Sequence, residues 1–362
     1  MLHNKTIAVV IPAYNEENQI QSVIKEIPLF VDRIVVVNDA SPDSTELKIK
    51  ELFSFAGSSK LPELVAKKTS SKYYAADELL ARINEEEKKF FPDMEIVQPH
   101  IDSKLVLINL KCNSGVGATI AAGYKWAKDN NIDCTAVMAG DGQMDPDELE
   151  SICTPVVVEN IDYVKGDRLS HPSAAIFIPR TRFIGNSILT ILTKIASGYW
   201  HVTDTQTGYT AISNRALNCL RLYKIYPRYG MPNDMLVKLN VANCTLREIV
   251  IKPVYHIGEK SKMKVFKVIP KISLLLLKSF FKRIWVKYFI KSFHPLFILY
   301  HIGFILLALS IPYGIKLIVK AAQGIDANPL TALAFAFTFI SGFQSILFAM
   351  WMDIQDNERL NK

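Results

Sequence analysis

The stretch V-M-A-G-D-G-Q-M-D-P, Val137 to Pro146, decides how this chain is read. A short apolar run, Ala136 to Met138, stops at a glycine, an acid and a second glycine. Pro146 then opens a helical segment, where its missing N–H costs little. The run is therefore expected to be a strand whose carboxyl end carries Asp141 and Gln143. In an open α/β sheet, ligands bind outside the carboxyl ends of the strands. Asp and Gln oxygens are hard donors that suit Mg²⁺ or Mn²⁺, and Mg²⁺ is usually shared with substrate phosphates. The plainer alternative is a loop acid capping the next helix, a part for which Asp145 is better placed.

Upstream, the same pattern repeats. Thr6 to Ile11 (T-I-A-V-V-I) reads as a buried parallel strand, ended by Pro12-Ala13-Tyr14-Asn15-Glu16-Glu17 and a helix to about Ile27. Arg33 to Asn38 is a second strand, ending in Asp39-Ala40-Ser41-Pro42-Asp43, with a helix from near Ser44. Strand, polar turn and helix in alternation predict βαβ units and a parallel sheet. Asp39 at a carboxyl strand end is a candidate for reading a ribose or a base edge; helix capping is the simpler role. Residues 56 to 103 break the rhythm and read as a surface insertion with a helix over Ala75 to Phe90. Leu105 to Asn109 restores the sheet. The run Asn113-Ser114-Gly115-Val116-Gly117-Ala118 then opens a helix, where paired glycines let backbone N–H groups approach an anion or simply make a tight turn.

Downstream, Tyr163 to Arg168 is another strand running into polar residues, followed by a loop with Arg180 and Arg182 and a helix over about Phe183 to Ser197. The dense polar run His201 to Thr210 is poor core material and reads as an active-site loop before a strand at Tyr209 to Ile212. Tyr226 to Leu236 is similar, with Asp234 entering a helix, where an acid also suits the helix dipole. Leu246 to Val254 closes the soluble part as a strand.

The chain has 362 residues and a net charge of +7, yet Lys260 to Lys291 holds ten Lys and Arg and no acid, which leaves −3 for the rest. The positive charge is thus local and gives no general nucleic-acid surface. Leu276, Leu277, Phe280, Phe281, Ile284 and Tyr288 form an apolar face, while Lys278, Lys282, Lys287 and Lys291 carry charge on helical faces. That combination predicts an interfacial helix on an anionic cytoplasmic leaflet. Pro295 to Ile315 and Ala327 to Met352 contain no Asp, Glu, Lys or Arg, and each is long enough to span a ~30 Å hydrocarbon core. A short link makes them a hairpin, and the basic segment before it places that side, with both termini, in the cytoplasm. No N-terminal signal peptide is expected, since Met1 to Lys5 runs straight into a strand. The five cysteines lack C-x-x-C spacing and read as reduced thiols.

Together these stretches resemble a known family. P-A-Y-N-E at Pro12 to Glu16, V-N-D-A-S-P-D-S-T at Val37 to Thr45, N-S-G-V-G-A at Asn113 to Ala118, D-G-Q-M-D-P at Asp141 to Pro146 and D-T-Q-T-G-Y at Asp204 to Tyr209 look like family 2 glycosyltransferases of the GT-A fold. The likeness covers about residues 5 to 255. The basic segment and hairpin are similar to polyprenyl-phosphate glycosyltransferases of the dolichyl-phosphate mannose synthase kind. The resemblance implies an α/β, Rossmann-like, mostly parallel GT-A domain over 1–255, a juxtamembrane segment over 256–293 and a hairpin over 294–362, with spans at about 295–315 and 328–352. It implies a UDP- or GDP-sugar donor lined by Pro12, Ala13, Tyr14, Asn15, Glu16, Asp39, Asn113, Gly115, Gly117, Asp141 and Gly142. It implies a Mg²⁺ or Mn²⁺ ion on Asp141 and Gln143, and inversion at the anomeric carbon. Two departures stand out: Ala139 occupies the place of the first acid of D-x-D, and Thr210 the place of an arginine common in the lipid-phosphate enzymes. Arg168, Arg180 or Arg182 is then expected to hold an acceptor phosphate.

The expected activity is transfer of a sugar to a membrane polyprenyl phosphate. A hydroxyl acceptor, on a lipid or a lipid-linked glycan, would instead need a carboxylate base, for which Asp204 and Asp234 are the candidates. A membrane-tethered nucleotide-sugar binding protein without catalysis is the remaining alternative, and Ala139 is its support. A nicotinamide site is not expected, because the first β–α turn lacks G-x-G-x-x-G. A homo-oligomer is compatible with the hairpin.

Overall fold

The computed structural model describes residues 1–54, 57, 75–174, 180–254, 265–326 and 328–362. Among them, eight strands form one sheet: β1 (Ile7–Ala13), β2 (Arg33–Asn38), β3 (Met94–Val97), β4 (Leu105–Leu110), β5 (Cys134–Val137), β6 (Tyr163–Asp167), β7 (Thr210–Ser213) and β8 (Leu246–Val250). Their order is β3-β4-β2-β1-β5-β7-β6-β8. Around them lie α1 (Ile20–Lys25), α2 (Thr45–Lys50), α3 (Ala75–Glu87), α4 (Val116–Asp129), α5 (Leu149–Val158), α6 (Arg180–Ser197), α7 (Asn214–Cys219) and α8 (Met231–Val241). Three long helices follow: α9 (Val265–Trp285), α10 (Pro295–Ala322) and α11 (Pro329–Glu358).

The β-branched runs of β1 and β2 are buried on both faces, as expected for parallel strands covered by helices. Val10, Val35, Val37, Val106 and Ile108 point into one apolar layer with α4. Ile7, Val9, Ile11, Ile34, Val36 and Leu107 point into the other, with α1 and α5. α4 can lie close to β1 because residue 123 is a glycine; a Cβ there would meet Val10 Cγ1 at 2.3 Å.

The sheet is mixed, which modifies the mostly parallel expectation. β4-β2, β2-β1, β1-β5 and β6-β8 are parallel, whereas β3-β4, β5-β7 and β7-β6 are antiparallel. β7 inserts between β5 and β6 in the reverse direction, so Thr210 pairs with Val137 at the carboxyl end of β5. That register brings the polar loop before β7 beside the Val137–Pro146 stretch. β3 lies inside the expected insertion as an antiparallel edge strand; residues 58–74 of that insertion lie outside the described residues.

α10 and α11 are 28 and 30 residues long, apolar enough to cross a membrane, and mostly exposed. They pack through glycines: a Cβ at Gly342 would lie 3.1 Å from the Gly303 carbonyl oxygen. α10 continues through Lys316 and Lys320 to Ala322, so the expected link is largely helical.

The expected single apolar face of α9 is split in two. Leu276, Phe280, Ile284 and Tyr288 are buried against the protein, while Leu277, Phe281 and Trp285 are exposed. The charges also divide. Lys278, Lys282 and Lys291 are exposed, but Arg283 and Lys287 are buried, so Lys287 does not face a leaflet as expected. Arg283 makes a two-pronged pair with Asp353 near the end of α11, at 2.7 Å on each prong. Its Nε and Nη2 also donate to the carbonyls of Ala196 (2.9 Å) and Ile195 (3.1 Å), which terminate α6. Lys287 donates to Asn240 of α8 (3.0 Å) and Asn357 of α11 (2.6 Å). Beyond α11, Leu246 of β8 exchanges backbone hydrogen bonds with Leu360 (2.7 Å) and Lys362 (3.0 Å). The far end of the hairpin thus returns to the eight-stranded sheet.

Replacing Gly123 by valine should wedge α4 off β1. Overpacking of this kind costs about 1–3 kcal/mol, a fall in melting temperature of roughly 2–10 °C. Thermal unfolding of the detergent-solubilised protein measures it, and an unchanged midpoint would contradict the close contact.

Candidate active site

The chain leaves β1 toward β2 and β4 on one side, then crosses to β5 on the other. β1 and β5 therefore flank a point where the strand order reverses, the usual place for a ligand crevice. Backbone bonds pin the loops there. The Gly140 N–H donates to the Pro12 carbonyl (3.3 Å), and the Asp39 N–H to the Ala13 carbonyl (2.9 Å). Asn15 N–H donates to Ser41 Oγ (3.1 Å), Glu16 N–H to Thr45 Oγ1 (3.0 Å), and Ser44 N–H to the Glu17 carboxylate (3.0 Å). Asn15 and Ala40 hold φ of +56° and +53°, a left-handed geometry uncommon for residues with a Cβ. The structure thus gathers Pro12, Ala13, Tyr14, Asn15, Glu16 and Asp39 at neighbouring strand ends with Asp141, Gly142 and Gln143.

Asp141 is half-buried, and its Oδ1 accepts the Gln143 N–H at 3.1 Å across Gly142, whose φ is +74°. Asp145 takes the capping part, accepting the Asp147 N–H at 3.0 Å. Capping therefore makes no claim on Asp141. Among the described residues no three His, Cys, Asp or Glu side chains group to hold a metal by themselves. One carboxylate and one amide are a donor set that suits an ion sharing its shell with phosphate oxygens and water.

The glycine turn before α4 differs from its anion-binding expectation. The Asp39 carboxylate accepts the N–H groups of Ser114 (2.7 Å) and Gly115 (2.9 Å). The N–H groups of Gly117 and Ala118 donate to the Pro227 carbonyl at 2.9 and 3.2 Å. The positive end of α4 is thus satisfied by protein groups, and Gly115 and Gly117 serve close approach. A Cβ at Gly117 would lie 2.0 Å from the Tyr226 carbonyl oxygen. Asn113 stands at the start of the same turn, exposed. Asp39 thus ties the end of β2 to the turn before α4.

The two candidate bases are also committed. Asp204 is fully buried; Arg168 Nε and Nη2 donate to its two oxygens at 2.8 and 3.2 Å, and the N–H groups of Gln206 and Thr207 add 3.1 and 3.2 Å bonds. Burial pushes the Asp204 carboxyl up, but Arg168, Lys165 and the Gln206 N–H more than offset it and hold it below the ordinary carboxylate range. A proton acceptor held that low is a weak base, so the expected catalytic part does not suit Asp204. Arg168, expected on an acceptor phosphate, spends the same guanidinium on Asp204. Asp234 is buried too, accepting the Tyr226 N–H at 2.7 Å and an ammonium proton of Lys238. It fixes the 226–230 loop over α4. Arg180 and Arg182 stand in the first turn of α6; their side chains lie outside the described residues.

Three buried residues around the polar loop, Lys165, Asn233 and Thr190, and the half-buried Glu248 escaped the sequence reading. Lys165 donates to the Thr207 carbonyl, and burial pulls its ammonium down to about 8 against Asp204 and Glu248. Glu248 accepts the Thr203 and Asp204 N–H groups at 2.7 and 3.0 Å. Asn233 accepts from both Thr193 and Gln206 at 2.8 Å, tying the loop to α6. Thr190 adds a 3.1 Å bond to Thr205. A lysine in an otherwise apolar strand was the one available signal.

Residues 8–75 match the family model described as Glycosyl transferase family 2. The chain is 28% identical over 253 residues to a UDP-N-acetylglucosamine–dolichyl-phosphate N-acetylglucosaminyltransferase of Methanococcus voltae, covering 70% of this chain and 87% of that one. An uncharacterized protein of Methanocaldococcus jannaschii is 26% identical over 255 residues, covering 70% and 84%. Among solved structures, glucosyl-3-phosphoglycerate synthase from Mycobacterium tuberculosis with UDP aligns at 18% identity and a TM-score of 0.47, over 77% of this chain and 80% of that one.

The folded pKa of Asp204 lies below its unfolded value of about 3.9. Its pair with Arg168 therefore stabilises fully above about pH 5, and that contribution fades as pH falls below about 4. Arg168→Ala should lower the melting temperature at neutral pH by roughly 6 °C or more and flatten the acid decline. Melting curves for wild type and variant that stay parallel from about pH 5 down to about pH 2 would contradict the pairing.

Proposed function

We propose that the protein transfers a sugar, with inversion, from a nucleoside-diphosphate sugar to a polyprenyl phosphate at the cytoplasmic membrane surface. One observation carries the choice of acceptor: both carboxylates able to act as base on a hydroxyl, Asp204 and Asp234, are locked in buried ion pairs. A lipid phosphate is already an anion at neutral pH and needs no base. Its oxygen attacks the anomeric carbon, the bond to the diphosphate breaks on the opposite face, and no proton has to move. The M. voltae relative, named for a dolichyl-phosphate acceptor, supports the same acceptor class and makes UDP-N-acetylglucosamine the first donor to test.

Asp141 and Gln143 fit a Mg²⁺ or Mn²⁺ ion that, when bound, would neutralise charge on the departing diphosphate. Pro12 to Glu16 would hold the nucleotide against the ends of β1 and β2, with the Asn15 turn shaping the pocket. Arg180 and Arg182 remain the proposed acceptor-phosphate ligands, since Arg168 is paired. The ten basic residues before the hairpin favour the cytoplasmic side.

The test uses purified protein in detergent with Mn²⁺, polyprenyl phosphate and UDP- or GDP-sugars, with nucleoside diphosphate and glycolipid as readouts. Glycolipid from the phosphate lipid is expected, and Asp141→Asn should cut turnover roughly 100-fold or more. Donor hydrolysis without glycolipid would move the acceptor to a hydroxyl. Donor binding without turnover would support the non-catalytic alternative and put Ala139 at its centre.

A further inference from the structure

The buried pair Arg283–Asp353 lies outside the crevice, yet its bonds join α6, α9 and α11. Arg283 belongs to the juxtamembrane helix α9, and Asp353 to the end of the second span, α11. Both are fully buried. Arg283 also donates to the carbonyls of Ile195 and Ala196 in the last turn of α6. A Cβ at Gly198, whose φ is +78°, would lie 2.6 Å from Arg283 Nη1. Tyr288 Oη donates to Asp353 at 2.8 Å, and Asn357 Nδ2 at 2.9 Å.

α6 is the helix that carries the polar loop of the crevice. Thr190 bonds Thr205, and Thr193 and Gln206 both bond Asn233. The first turn of α6 bears Arg180 and Arg182. One guanidinium therefore fastens the carboxyl end of α6 to both the interfacial helix and the span. A buried ion pair is weak evidence for stability in itself, because well-packed apolar residues often do as well. What it does supply here is direction: a planar two-pronged contact admits one orientation of α6 relative to α11.

We infer that Arg283 and Asp353 are positioning residues for the acceptor: they hold α6 and its loop at one height and tilt over the bilayer, where a lipid-borne phosphate emerges. This rests on the acceptor reading above. An acceptor free in water can approach at any height and does not need that alignment.

The full-length protein is assayed with UDP-N-acetylglucosamine and two acceptors: a long-chain polyprenyl phosphate in liposomes, and a short, water-soluble isoprenyl phosphate. Asp353→Asn is expected to raise KM for the bilayer acceptor about tenfold, while rates on the soluble acceptor and KM for the donor stay within about twofold. Tyr288→Phe, which removes one bond to Asp353 and is milder for folding, should shift the same KM in the same direction by less. Arg283→Lys, which keeps the charge but loses the fork, should not rescue it. Parallel losses on both acceptors would reduce the pair to a stability element and overturn the inference, as would an unchanged bilayer KM in both variants. A wild-type protein that glycosylates neither phosphate overturns the acceptor reading itself, and the positioning role with it.

Discussion

Burial on both faces of β2, β1 and β5 is the constraint on which the rest depends. Ile7 to Ile11 and Val35 to Val37 have essentially no exposed surface. A strand of that kind makes an unpartnered polar side chain along its length costly. Polar function is displaced to the strand ends, and parallel strands present their carboxyl ends on one side. Pro12 to Glu16, Asp39 and Asp141 meet there for that reason. The reversal of β7 brings the 203–208 loop to the same edge, because Thr210 must pair with Val137.

At that edge the carboxylates divide by the partners they keep. Asp39 is closed by two backbone N–H groups, Asp204 by a guanidinium and backbone N–H groups, and Asp234 by an ammonium and a backbone N–H. Each is buried, and a buried carboxylate without such company would be costly. Asp141 is half-exposed at the mouth of the crevice. The same residue type thus serves as cement three times, while Asp141, which accepts the Gln143 N–H, keeps part of its surface at the mouth of the crevice.

The sequence made some of this legible and hid the rest for definable reasons. The β-branched runs of β1 and β2, the turn acids and the two apolar spans declare themselves locally, and all appear in the structure. β3 was hidden because M-E-I-V is short and lies in a charged stretch. The partners of Asp39 stand 75 and 76 residues away, so nothing local distinguished a capping acid from a ribose ligand. Spacing along α9 showed that apolar and basic residues recur, but two apolar stripes lie side by side there. Only the neighbours decide that Phe280 turns inward while Phe281 stays exposed. Lys287 read as a leaflet-facing charge for the same reason; its partner Asn357 lies 70 residues on.

The pairing of Leu246 with residues 360–362 has a further bearing on how the molecule is made. β8 lies at an edge of the sheet, and an open edge invites unwanted strand pairing. The segment alongside it comes about a hundred residues later, after the two long apolar helices; Arg247 and Lys362, in contact, are 115 positions apart. Synthesis produces β8 well before either span. The edge therefore stays uncovered by residues 360–362 until α11 has been made and has folded back, and the completed edge is a record that the hairpin has closed.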